Sequence, residues 1–513
     1  MLKLLKIVFV FVVVSFGVVL AADYNASSRC AKKIYQELNK KSANPFVVSI
    51  GTALSHTHYS SNTVHPEYLR KILQQCAQKE NNPKKWLKHK DRIGYVQTAL
   101  PIVACTNCYV RIDPSKLSLV KDQRVMESLI DEAVNNTASN KLTLKKCVHC
   151  SGALVEQPRK QKIFTEFFLQ NMLDQLTYLG VNEQLPCLRY GLPNYRLSLD
   201  VTDVLKDGST KIDPVKLQQQ ANLVAQFGNP LLFLHHYENP QTIENLFQKS
   251  EHVDWFANYC AQMIAAVPQI THVCPISQPI AFVFRTIRQS LPPFTSTVSQ
   301  PYFMENITQA QVVASKKMKQ INPKLKVLIS HQWKLFKPKH GFGDPRRALE
   351  LMVCKIAHRM YNGAFVKMLQ PHQDHFDGIA LSVYPAIHFN LWEPESDNAV
   401  SRIDADNAFE TIMETHKAFP SKDIFIVETG CNTTDPKMKK DFIDMTLAVC
   451  QKARQNGVKI KGVYFWEQSN DTQDWYQWNH VPLPTQFAPF DGNTVTSINA
   501  AGLYIKEIVE AVF

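Results

Sequence analysis

Short apolar runs recur along the chain, separated by longer stretches whose apolar positions follow helical spacing. The first run, Pro45 to Ile50, leads into a polar loop with His56 and His58. After a long interval come Tyr195 to Leu199, Pro230 to Leu234, His272 to Ile276, Lys326 to Ile329, Gly378 to Val383, Ile424 to Val427 and Gly462 to Phe465. Unbroken apolar runs suit strands buried on both faces, as in a parallel sheet. Stretches such as Phe164 to Leu179 suit the helices between them. Eight such repeats predict an α/β fold, a (β/α)8 TIM barrel over residues 44–513. In that architecture the residues just beyond the strands converge on one face, where chemistry is expected.

The interval after the first run has a different character. Residues 70–162 hold 18 Lys and Arg against 8 Asp and Glu, so this insertion carries most of the net charge of +12. Charge confined to one segment does not make an evenly basic face, and no nucleic-acid partner is expected. Lys84, Lys85, Lys88 and Lys90 around Trp86 read as a solvated face. The insertion also bears two C-x-x-C knuckles, Cys105 with Cys108 and Cys147 with Cys150. Four thiolates so paired can hold a structural zinc, can oxidise to disulfides in an exported chain, or can stay as unpaired thiols. Either of the first two states staples the insertion. A four-cysteine site leaves no open position, so no catalytic cofactor is expected.

At the amino terminus, Lys3 and Lys6 precede an apolar run from Ile7 to Leu20 and the small pair Ala21-Ala22. This layout predicts a signal peptide over residues 1–22, a secreted or periplasmic protein, and no stable membrane span after cleavage.

The predicted strand ends carry rings beside hydrogen-bonding groups: Arg196, His235, His236, Tyr237, Ser277, Gln278, His331, Gln332, Trp333, Ser382, Tyr384, Glu428, Trp466, Glu467, Asp471, Asp474 and Trp475. A pyranose stacks its C–H faces on rings and needs paired donors and acceptors for its hydroxyls, so a carbohydrate substrate or ligand is expected.

Within this pattern a family resemblance becomes specific. Asn194-Tyr195-Arg196-Leu-Ser-Leu-Asp200, with Leu205-Lys-Asp-Gly208 and Ile212-Asp-Pro214 after it, resembles the second-strand region of glycoside hydrolase family 1, the β-glucosidase family. Pro230 to Pro240, with its His235-His236 pair, is similar to the strand bearing that family's His-Trp pair. Ser277-Gln278-Pro279 falls where the family has Asn-Glu-Pro, and Phe376 to Tyr384 resembles its Asp-Phe-Ile-Gly-Leu-Asn-Tyr-Tyr strand. Glu428-Thr-Gly430 resembles Glu-Asn-Gly around the nucleophile, and Tyr464-Phe-Trp466 with Asp474-Trp475 is similar to the last, tryptophan-rich strand.

The resemblance implies a retaining mechanism with two carboxyl groups about 5 Å apart, one nucleophile and one acid/base. It implies Glu428 as nucleophile, Arg196 as the cation beside it and Tyr384 as a hydrogen-bond donor to it. It also implies sugar contacts from His56, His236, Ser277, Trp466, Asp474 and Trp475. The acid position is held by Gln278, an amide that cannot donate a proton as a carboxylic acid does. Ser277 replaces the family's Asn, His56 its Gln, and Ser382 shortens another polar contact. The expected protein is a secreted β-glycosidase dependent on good leaving groups; the alternative is a catalytically inactive carbohydrate-binding pseudo-enzyme. Glu238 and Glu467 read as solvated loop charges, with a relocated acid as the other reading.

Overall fold

The computed structural model describes residues 31–40, 44–53, 166–199, 201–206, 209–236, 246–247, 249–283, 300–394, 404–431, 433, 435–468, 489–491 and 495–511, with backbone alone for 52–53, 102–105, 111–112, 154–157, 166–168, 185, 202–203, 300–301 and 393–394. Eight parallel strands close into a barrel. They are β1 (Val47–Ala53), β2 (Arg196–Ser198), β3 (Leu231–Phe233), β4 (His272–Cys274), β5 (Lys326–Gln332), β6 (Gly378–Ser382), β7 (Asp423–Thr429) and β8 (Ile460–Trp466). Strands adjacent in this series are paired in parallel, and β1 closes the ring against β8. Each apolar run of the sequence is therefore a barrel strand, and the predicted TIM-barrel architecture is the one observed.

The continuous apolar runs follow from burial on two sides. Val47, Leu231, Phe233, Leu328, Phe425, Val427 and Tyr464 fill the interior. Their strand neighbours Val48, Leu232, Ile329, Ile426 and Val463 pack outward against the helices. Local chemistry starts the helices: Asp213 caps Pro214–Gln226, its side chain accepting from the Val215 and Lys216 N–H groups, and Asp435 caps Pro436–Gln455, its side chain accepting from the Lys437 N–H. In both helices the residue after the cap is Pro, whose missing N–H costs nothing there.

Beyond β5 and β6, Phe336–Pro338, Ile387–Asn390 and Glu393–Pro394 form a small sheet. In the insertion, Ile102–Cys105 pairs with Arg111–Ile112 and Leu154–Gln157. The predicted signal peptide, Cys108, Cys147, Cys150 and the side chain of Cys105 lie outside the described residues. Among the described residues no helix is long and apolar enough to cross a membrane, and no His, Cys, Asp and Glu cluster is placed to hold a metal.

Candidate active site

Strand β2 turns Arg196 and Ser198 inward, because Tyr195, Leu197 and Leu199 take the outward positions. Arg196 is fully buried, with Cζ 4.4 Å from the centroid of the Phe233 ring and 4.3 Å from that of Trp466. Flat guanidinium on flat rings is a favourable way to hold a cation away from water. Gly51 of β1 makes the room: a Cβ there would lie 2.6 Å from Arg196 Cδ.

Glu428 reaches the same space through a bulge. Along β7, Phe425 and Val427 face the interior while Ile424 and Ile426 face the helices, so simple alternation would send Glu428 outward. The register with β6 shifts instead, pairing Leu381 with Ile426 but Ser382 with Glu428. The register with β8 shifts over Ile426 to Thr429 as well. One extra residue in β7 re-aims the carboxylate. Its Oε1 lies 3.6 Å from Arg196 Nη2 with both side chains buried.

Gln278 completes the group. Its backbone, at φ 42°, occupies a left-handed conformation that costs a non-glycine residue of order 1 kcal/mol. The segment is held by the Ser277 N–H donating to His235 O at 2.8 Å and the Gln278 N–H donating to Ser330 Oγ at 3.1 Å. The Gln278 side-chain amide donates to Ser382 Oγ at 2.9 Å and directly to Glu428 Oε2. His236 stacks on Trp466, the centroids 5.6 Å apart and the planes 10° from parallel. Its Nδ1 lies 3.1 Å from Arg196 Nη2 and 3.3 Å from Ser198 Oγ. Arginine only donates, so Nδ1 accepts and the neutral ring carries its proton on Nε2. Arg196 Nη2 also donates to Ser277 Oγ at 3.5 Å.

With this geometry in place, the solved structures it resembles are informative. The barrel is similar to those of family 1 β-glycosidases. The β-glycosidase from Pyrococcus horikoshii aligns with a TM-score of 0.53 at 16% identity, covering 67% of this chain and 84% of that one. The family 1 β-glucosidase from Thermotoga maritima aligns at 0.53 and 14%, covering 66% and 86%. Virulence factor SghA from Agrobacterium tumefaciens aligns at 0.53 and 15%, covering 67% and 87%. No family model and no curated protein matches the sequence. At such identities the likeness is one of fold.

The structure thus brings Arg196, His236, Ser277, Gln278, Glu428 and Trp466 together. Tyr384 is half-buried and lines a cavity with Ile426, Thr429 and Phe442, between the barrel wall and the helices. His56, Tyr237, Glu238, Asp471, Asp474 and Trp475 lie outside the described residues. Three other strand-end residues face the helix layer. His235 packs edge-on against Phe247, Phe256 and Phe282. His331 stacks on Phe365 at 4.0 Å, bonds through Nε2 to Asn362 Oδ1 at 3.0 Å, and is pushed down to about 3 by burial. Trp333 donates from Nε1 to Glu414 Oε2 at 2.7 Å. Glu467 is only 1% exposed, so the expectation of a solvated charge there is overturned. The next residue, Gln468, accepts from Tyr195 OH and donates to Gln175 of the helix Glu166–Tyr178, which holds this turn against the helix layer. Sequence reasoning did not single out Gly51, Ser198 or Ser330. Of these, Ser198 carried a signal, since it follows Arg196 at the two-residue period of a strand face.

Proposed function

We propose that this chain acts on β-linked glycosides at the barrel mouth, with Glu428 as nucleophile and Gln278 in the acid's place. The observation that carries this reading is the meeting of Glu428 with Arg196 beside Gln278 in a buried, ring-lined space. A glycoside's anomeric carbon would be attacked by a Glu428 oxygen, and the electrons of the broken C–O bond would leave with the aglycone. Gln278 supplies no proton, so the leaving group must be stable as an anion; a general acid is typically worth about 10²–10⁴-fold. Water would then open the glycosyl ester. The proposal includes export directed by residues 1–22 and a zinc or disulfide staple at Cys105, Cys108, Cys147 and Cys150.

One observation favours a second reading. Retaining enzymes hold their carboxyl groups about 5–5.5 Å apart to admit the reacting carbon. Here the second carboxyl's place is filled by the Gln278 amide, which donates to Glu428, so the pair of carboxyl groups is incomplete. A protein that binds carbohydrate without cleaving it fits this contact.

Intact mass after incubation with a 2-fluoro β-glucoside bearing a dinitrophenyl leaving group separates the two. The expected result is a covalent adduct on the peptide containing Glu428. No adduct with gluco, galacto or manno versions, despite measurable sugar binding, would establish the binding protein.

A further inference from the structure

Strand β5 sends its side chains to alternate faces, and its last residue is Gln332. Leu328 and Ser330 point into the barrel, Ser330 accepting the Gln278 N–H, while Ile329 and His331 point to the helices. Gln332 therefore ends the inward series. Register carries it to the candidate active site: Gln332 stands beside Ser382 of β6, and Ser382 beside Glu428 of β7. Two strand spacings of about 4.8 Å put its Cα about 10 Å from that of Glu428 along the ring. Gln332 is 8% exposed, and among the described residues no donor reaches its Oε1. A buried polar atom left unpaired carries its full desolvation cost, so one that lines a binding space calls for a partner from a ligand.

The contact between Gln278, after β4, and Glu428, on β7, divides the mouth in two. On the side of β8, β1, β2 and β3 stand Trp466, Arg196 and His236, whose flat faces suit a pyranose. On the side of β5 and β6 the inward polar groups near the strand ends are Ser330, Gln332 and Ser382. Ser330 takes the Gln278 N–H and Ser382 the Gln278 side-chain amide. Gln332 is the group of the three that is not engaged with Gln278.

We propose that Gln332 is the contact for the aglycone, and that the aglycone carries a hydroxyl group of its own. This rests on the glycosidase reading above. With the sugar on the ring-lined side and its anomeric carbon at Glu428, the leaving group lies toward β5 and β6. A hydroxyl serves either end of an amide, giving its proton to Oε1 or taking one from Nε2. Gln278 adds a second condition, since without a general acid the departing oxygen must be stable as an anion. Together the two conditions name a substrate class, the β-glycosides of phenols that bear a further hydroxyl. An unsubstituted phenol fails the first condition and a simple alcohol or second sugar the other.

The test compares 4-nitrophenyl and 2-hydroxy-4-nitrophenyl β-glycosides, in the gluco, galacto or manno form that the protein binds, on the full chain and on Gln332→Leu. The added hydroxyl is expected to raise kcat/KM roughly tenfold in the parent and to bring no gain in the variant. Gln332→Met, which keeps the length of the side chain, takes the place of the leucine variant if circular dichroism shows that one unfolded. No gain in the parent would overturn the proposal. So would a gain that survives in the variant because both substrates suffer alike, which would make Gln332 a support for its neighbours. Failure of the glycosidase reading shows itself separately, as the absence of a labelled Glu428. The same ratio is then read from dissociation constants by calorimetry, where loss of the gain in the variant supports the contact and its persistence overturns it.

Discussion

Arg196 and Gly51 stand opposite each other in the register of β1 and β2, and the missing side chain of the one is the space filled by the other. Gly51 is also in register with Trp466 of β8, so one level of the ring runs Arg196, Gly51, Trp466. Across that gap the guanidinium reaches Glu428 on β7. Replacing Gly51 by Ala places a Cβ 2.6 Å from Arg196 Cδ and must displace it. Overpacking of this kind costs typically about 1–3 kcal/mol. The denaturant midpoint of Gly51→Ala should fall, and the rate of adduct formation at Glu428 with it. Parent-like values of both would mean that Arg196 has another place to lie.

Gln278→Glu restores a carboxyl group at the end of β4. Beside Glu428, two carboxyls cannot both ionise easily, so one keeps its proton at neutral pH and becomes the missing acid. Hydrolysis of unactivated alkyl glycosides should rise by about 10²–10⁴-fold in kcat/KM, with a bell-shaped pH dependence. An unchanged rate would place the defect in the surrounding residues, such as Ser277 and Ser382.

Buried neutral histidines make the fold sensitive to acid. Burial pushes His331 from 6.5 down to about 3, and burial with the nearby Lys326 pushes His272 from 6.5 down to about 4. Between 6.5 and those values the unfolded chain takes up protons that the folded chain refuses. Stability therefore falls as pH drops through this range, by up to about 1.4 kcal/mol per pH unit for each histidine. His331→Gln should lower that slope by about one proton in unfolding titrations run at several pH values. An undiminished slope would show that other groups set the acid limit.

Glu350 should hold the loops beyond β5 and β6. Burial works to raise its carboxyl, but hydrogen bonds from Leu391 and from the backbone and ring of His340 hold it down at about 2. Its contribution is present above the ordinary value of 4.5 and is lost as pH falls toward about 2. Glu350→Gln turns an N–H donor toward groups that already donate. Faster hydrogen exchange at the His340 and Leu391 amides is expected at neutral pH. Unchanged exchange would mean that packing alone holds these loops.

The site was legible where chemistry follows strand position. Arg196, Gln278, Glu428 and Trp466 could be nominated because strands and their ends were readable and a barrel gathers those ends on one face. His235, His331 and Trp333 were equally good nominees, yet they fill the helix layer among Phe256, Phe365 and Glu414. The choice between mouth and helix layer depends on the turn each strand makes as it leaves the sheet. Residue type does not encode it.

By itself the sequence determined the eight strands and their order, because burial on both faces demands unbroken apolar runs whatever the rest of the chain does. Only the tertiary structure decided that Glu428 points inward, since the period of β7 sends it outward and a register shift against Ser382 reverses it. Tertiary structure alone also decided that Gly51 opens the space for Arg196 and that Gln278 closes on Glu428. These features are set by register and by what packs against what, and a one-residue slip changes which face every side chain joins.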